Sequence, residues 1–356
     1  MDGLEQQQLR PEGTEPCATV VMINRNGGSL LRMAIATCRA DLDGLWAARQ
    51  DFDFLLVDNG STDDSVPIAK AELAGASFPW RIVEERTPGV NSARNAGLRE
   101  ARGDLLVFTD SDLLFQQGWL SAYLDAAERY PAVEVFAGRV RVGRVEGDVP
   151  DWLDLMGQWK RSCIVVQADY GEVAGVQPLT SEYGPVGPNM AFRKSLFDRV
   201  GPFDVRFGLR PGSLVAGAEA EFFERLSRLG VLCAWVPEAI VDHPVKRSQM
   251  TKRYFLTRLH GVGRVAARIG WMRGDPAKRL FGLTLYRVPE TVRALFAWWA
   301  AALGGDVKKA FFLRGQLSIL TGYLHEDLDR WMARGRTAGG DGADALQQEC
   351  RSSQGQ

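Results

Sequence analysis

No C-x-x-C pair occurs among the five cysteines of this 356-residue chain, and their number is odd (Cys17, Cys38, Cys163, Cys233 and Cys350). That pattern argues against a disulfide framework and reads as reduced thiols of a cytosolic protein. Long apolar runs are also missing. The longest, ALFAWWAAALGG at residues 294–305, falls short of the roughly 20 residues that a membrane span needs. The chain is expected not to cross a membrane, although it can lie on one. The N-terminus is polar and lacks the apolar core of a signal peptide, and no internal repeat is present. Net charge is nearly absent, at -1.

What is present is a normal globular balance, with 46% hydrophobic and 24% charged residues, enough for a sizeable core. The length suits two domains, or one large α/β domain with an extension. The small net charge conceals an asymmetry. Residues 246–280 hold ten Lys/Arg against a single acid, Asp275, which leaves the first 245 residues at about -11.

Apolar, β-branched runs at 18–23 (ATVVMI), 52–57 (FDFLLV), 80–85 (WRIVEE) and 104–109 (DLLVFT) predict four strands. Helical patterns lie between them; 87–103 reads as a loop leading into a helix, with Asn91 or Ser92 as its N-cap. This alternation predicts an α/β fold with a Rossmann-like, mostly parallel sheet and flanking helices. Residues 132–145 read as a further strand, 187–204 as the opening of a short helix, 217–230 as an amphipathic helix stopped by Gly230, and 231–237 as a strand. The expected organisation is a disordered N-terminus (1–16), an α/β domain (17–245), a basic amphipathic helical extension (246–334) and a disordered tail (335–356).

Polar clusters at 24–29, 58–65, 86–95 and 109–112 follow the strands. Ligands of such sheets bind outside the strands' carboxyl ends. Asp110 and Asp112 sit two residues apart at the mouth of a buried run, where unpaired carboxylates are costly. Mn2+ or Mg2+ would suit them, because a hard cation takes one or two carboxylates together with substrate phosphates. Taken alone, Asp-Ser-Asp is equally an Asx turn.

The segments VVMINRN, LLVDNGSTDDS, PGVNSARNAGLREARGD, VFTDSD, GPNMAFRKSLFDRVGPFD and GAEAEFFERL occur in this order. Together they make the chain resemble family 2 glycosyltransferases of the GT-A fold over residues 18–245. The resemblance implies an inverting transfer of a hexosyl group from a nucleotide diphosphate sugar, UDP-sugar favoured, to a hydroxyl of a glycan or lipid-linked acceptor. It further implies a role in cell-surface polysaccharide synthesis. By resemblance, Asp112 is a metal ligand and Asp110 faces the ribose or the metal shell. Asp58 reads the nucleobase or ribose, with N-capping of the next helix as its other reading. Asn24 and Arg25 line the nucleotide pocket, and Gly187 and Asn189 border the donor sugar. Arg94 and Asn95 face the diphosphate or sugar, Arg through its forked donors. Glu219 is the expected general base and Glu221 the alternative; the usual enrichment of acids in a helix's first turn would also account for both. The family commonly has an acid where this chain has Ala218, and an Asp where it has Glu219. His243 is a further candidate for the metal.

The basic segment carries Tyr254, Phe255, Leu259, Val262, Ile269 and Trp271 at helical spacing. It reads either as a helix lying on an anionic membrane, with Trp298, Trp299 and the 294–303 run reaching the interface, or as a packed helical subdomain with a solvated basic face. The expected location is cytoplasmic, with peripheral contact at the inner face of the cell membrane as one reading. No nucleic-acid module is recognisable. Two other functions remain open: a sugar nucleotidyltransferase, for which NRNGGS is a poor phosphate loop, and a degenerate transferase serving as a binding or scaffold protein.

Overall fold

The four apolar runs form strands β1 (Ala18–Asn24), β2 (Phe52–Asp58), β3 (Trp80–Glu84) and β4 (Leu105–Asp110). This is seen in a computed structural model that describes residues 17–154, 166–180, 182–208, 217–274 and 277–338. Helices α1 (Gly28–Trp46), α2 (Ser65–Leu73) and α3 (Val90–Glu100) connect them. The strands pair in parallel in the order β3-β2-β1-β4. Every residue of β1 and β2 is buried, as strands covered on both faces require. Alternation along β1 sends Val20 and Met22 into one apolar cluster with Leu31 and Phe54, and Val21 and Ile23 into another with Leu55, Phe192 and Phe222.

The chain continues through β5 (Leu114–Phe115), α4 (Trp119–Arg129), β6 (Val135–Val145), α5 (Asp151–Asp154), β7 (Gly175–Pro178), β8 (Asn189–Arg193), α6 (Ser195–Val200), α7 (Ala220–Arg228) and β9 (Leu232–Val245). The sheet extends past β4 through β8, β6, β9 and β5, with β7 also on β9. Six of the nine strands run in one direction; β5, β7 and β8 oppose them. The architecture is therefore the expected α/β one with a mostly parallel sheet.

Three local expectations differ from the structure. Residues 187–204 contain the expected short helix, α6, but strand β8 precedes it, because Met190, Ala191 and Phe192 are buried between β4 and β6. Gly89, at φ +138°, occupies the N-cap of α3, and Asn91 lies inside the first turn, donating to the carbonyls of Asp204 and Ala218. Strand β9 runs eight residues beyond Pro237, to Val245, and its register against β6 shifts after Gly138.

One buried ion pair stands inside this sheet. Arg81 donates to Asp53 at 2.5 Å, and the Thr19 hydroxyl donates to the other Asp53 oxygen at 2.6 Å. Both charged side chains are about 95% buried. Arg81→Ala strands the Asp53 charge, and a loss of about 3–5 kcal/mol is expected in denaturant unfolding. Combining Arg81→Met with Asp53→Leu should recover most of it, since an apolar pair replaces a buried ionic one at little cost.

The chain divides into two compact units after Phe255. The division falls inside helix α8 (Lys252–Met272). The second unit contains most of α8, a short ribbon of β10 (Arg279–Leu280) and β11 (Leu283–Thr284), α9 (Arg287–Leu303) and α10 (Val307–Ala338). α8 crosses α10 at two glycines. A Cβ on Gly263 would stand 1.9 Å from the Ile319 carbonyl oxygen, and one on Gly322 2.0 Å from that of His260. The crossing is held by Arg264 and Arg268 on Glu326, by Arg264 on Asp329, and by the Trp271 indole on Asp327. No helix among the described residues is long and apolar enough to cross a membrane. Residues 1–16 and 339–356, expected to be disordered, lie outside the described residues; α10 itself continues to Ala338, past the expected start of the tail at 335.

Candidate active site

Strand register decides which polar residues meet. Asn24 pairs with Asp58, and Ile23 with Asp110, so the carboxyl ends of β1, β2 and β4 lie side by side. Asp110 ends β4 half-buried, within electrostatic reach of Arg94 on α3, Asp112 just beyond the strand and Glu219 at the N-cap of α7. Burial pushes its carboxyl up to about 7; Arg94 opposes this, and the charges of Asp112 and Glu219 add to it. A cation bound there would act in the opposite direction.

Asp112 has two cationic or cation-binding neighbours. Lys246 Nζ lies 3.2 Å from Oδ2, and His243 Nε2 lies 3.9 Å from Oδ1. The other ring nitrogen of His243, Nδ1, is 3.0 Å from the Pro244 carbonyl oxygen. That contact orients the imidazole so that Nε2 is available as a ligand. A carboxylate and an imidazole this close suit Mn2+ or Mg2+ completed by phosphate oxygens, and Lys246 already stands as a positive charge beside the carboxylate. Among the described residues, no group of three or more His, Cys, Asp or Glu side chains could hold a metal by itself. A cation here would therefore need ligands from substrate and water. Lys246 escaped the sequence reading because it opens the basic segment. Its position three residues after His243, where β9 ends, was the available signal.

Glu219 faces Arg94 and Gly187. Arg94 Nη1 lies 3.5 Å from its Oε2, and the Gly187 N–H donates to Oε1 at 3.3 Å. A Cβ on Gly187 would lie 2.5 Å from Arg94 Nη2 and 3.0 Å from Glu219 Oε1, so a side chain there would push the tips of Arg94 and Glu219 aside. Arg94 is almost fully buried, and its Nε has no hydrogen-bond partner. Ala218, where the family commonly has an acid, is buried in a tight spot: a Cβ on Gly208 would come within 2.8 Å of its Cβ. Glu221 is turned elsewhere. It pairs with Arg225 at 2.6 Å, and Arg225 in turn donates to the carbonyls of Val200 and Pro202.

One of the expected sugar contacts is spent inside the protein. Asn189 is fully buried; its oxygen accepts from the Trp119 indole and the Tyr123 hydroxyl, and its amide donates to the carbonyls of Arg139 and Ala239. Asn95 exchanges both of its amide bonds with the backbone of Phe203. With four bonds made, Asn189 is not free to bond a sugar hydroxyl, whereas half-buried Asn95 keeps one amide hydrogen and one lone pair. Asp58 remains at the strand ends but accepts from Asn24 and twice from Ser61, which leaves little of its acceptor capacity for a ligand. Asn24 keeps a buried oxygen without a partner, and Arg25 is exposed at the rim, donating to the Asn59 carbonyl. Nearby aromatics pack on one another: Tyr170 on Tyr183 and Trp235, and Trp152 on Phe255.

A mostly parallel sheet with an acidic, arginine-backed cluster at its carboxyl rim puts the candidate site where sheets of this class bind their ligands. Residues 19–201 match the family described as Glycosyl transferase family 2; the chain belongs to this family and is a glycosyltransferase. It is 21% identical over 240 residues to glycosyltransferase AglE of Haloferax volcanii, covering 67% of this chain and 70% of that one. It is 25% identical over 305 residues to the pre-mycofactocin glycosyltransferase of Mycobacterium tuberculosis, covering 85% of this chain and 56% of that one. It is 30% identical over 148 residues to the undecaprenyl-phosphate 4-deoxy-4-formamido-L-arabinose transferase of Pseudomonas fluorescens, covering 40% of each. The chain thus spans about half the length of the last two.

Proposed function

We propose that the chain is a cation-dependent, inverting transferase that moves a hexosyl group from a nucleoside diphosphate sugar, UDP-sugar favoured, to a hydroxyl of a glycan or lipid-linked acceptor. The work would belong to cell-surface polysaccharide synthesis, in the cytoplasm at the inner face of the membrane. The observation that carries the reading is the convergence of Asp110, Asp112, Arg94 and Glu219, from three separate segments of the chain, at one sheet rim. The name of the Pseudomonas relative supports a lipid-linked acceptor.

In this reading Glu219 takes the acceptor's proton as the acceptor oxygen bonds to the anomeric carbon, while the bond from that carbon to the diphosphate oxygen breaks. Arg94 offers N–H donors to the phosphates or the sugar. Asp112, Asp110 and His243 would hold the cation. A bound Mn2+ or Mg2+ supplies positive charge for the departing diphosphate. Asn24, Asp58 and Arg25 border the nucleoside.

Thermal shift over UDP-, GDP- and dTDP-sugars, with and without Mn2+, tests the reading. A UDP-sugar should raise Tm only when Mn2+ is present, and EDTA should remove the effect. Nucleotide binding that ignores the chelator would remove the cation from the proposal, and no shift with any donor would remove the donor.

A further inference from the structure

The ten residues of α9 from Ala294 to Leu303, ALFAWWAAAL, contain no polar side chain. On one side of the helix Ala294 and Ala297 line a groove of about 520 Å³ shared with Leu313, Ile319 and Leu320 of α10, with Glu290, Arg293 and Gln316 completing its lining. On the other, Val292, Leu295, Phe296, Trp299 and Leu303 are spaced i, i+3, i+4, i+7, i+11 and are each 45–72% exposed. The turn to α10 adds exposed Val307 and Phe312. A helix that is apolar all round belongs in an apolar medium, and a contiguous exposed patch of this kind marks an interaction surface.

We infer that the α9–α10 hairpin docks into the surface of an anionic lipid bilayer. A second protein would cover the outward stripe alone and leave the open groove in water, whereas lipid can cover both. The length agrees: ten residues rise about 15 Å, too little to cross the roughly 30 Å hydrocarbon core, so the hairpin lies along the interface with its apolar stripe toward the acyl chains. Trp298 and Trp299 suit the boundary between chains and headgroups. The charge agrees as well. Arg293, Lys308, Lys309 and Arg314 are exposed, and no described carboxylate pairs with them. By contrast, Arg264 and Arg268 of the basic segment are committed to Glu326 and Asp329, so α8 is the packed partner and α9 the lipid-facing element.

The inference deepens the peripheral-membrane part of the proposed function and rests on it. Its test uses no sugar substrate, so its failure leaves the transfer reading standing. Full-length protein is floated with vesicles of phosphatidylcholine alone or with phosphatidylglycerol. Binding to the anionic vesicles is expected, weakened by salt. Phe296→Glu with Trp299→Glu should reduce it at least tenfold, and Lys308→Glu with Lys309→Glu several-fold, with circular-dichroism melting unchanged because these side chains are exposed. Wild-type protein that stays unbound, or a Phe296/Trp299 variant that binds equally, overturns the inference. So does a concentration-dependent dimer that the same variant abolishes while vesicle binding is absent, for the face would then be covered by a second copy.

Discussion

Glu219→Gln is expected to lower kcat by about 10²- to 10⁴-fold, the usual contribution of a positioned general base, with little change in donor KM. The substitution keeps size and shape, so the Gly187 N–H retains an oxygen acceptor. The Arg94 contact it weakens is long, at 3.5 Å, and Asp110 remains within reach of Arg94, so the fold should persist. Glu221→Gln is the contrast. It removes one partner of a close, mostly buried pair with Arg225, and should cost about 1–3 kcal/mol of stability while leaving turnover per folded molecule near normal. Single-turnover transfer measured beside thermal melting separates the two. Full activity in the Glu219 variant, or the pattern reversed between the two acids, would give the base role to another residue.

Asp112→Asn is expected to have the other large effect. It removes the charge that faces both His243 and Lys246. Mn2+ affinity, followed calorimetrically with nucleoside diphosphate present, should fall below detection. Transfer should drop by roughly 10³-fold, equivalent to the several kcal/mol that metal-ion charge stabilisation contributes. Stability should change by less than about 1 kcal/mol, because the pair with Lys246 is partly exposed. Unchanged Mn2+ binding in this variant would place the cation elsewhere.

Much of the site was legible because it is local. Asp110 and Asp112 end an apolar run, and β4 delivers them to the rim. Gly187 and Glu219 were recognisable from motif order, and the structure brings them together. Asn189 was misplaced because an amide in a motif looks the same whether it bonds a ligand or a distant carbonyl. The partners of Asn189 come from α4, β6 and β9, and nothing in their spacing announces that they meet. The same holds for Lys246, which reads as one base among ten until β9 is seen to end beside Asp112. Glu219 and Glu221 are separated by a two-residue step around the start of α7, which turns one side chain toward Arg94 and the other toward Arg225.

The sequence by itself determined the parallel half of the sheet, since unbroken apolar runs can be satisfied only between two covered faces, and it determined the family, since six motifs keep their order. Only the tertiary structure decided the mixed half, where β8 inserts antiparallel between β4 and β6, and which polar groups are spent on the protein and which stay at the rim. Strand formation depends on neighbours in the chain. Hydrogen-bond saturation and charge clustering depend on residues tens to more than a hundred positions apart, and these become neighbours only once the sheet has set its register.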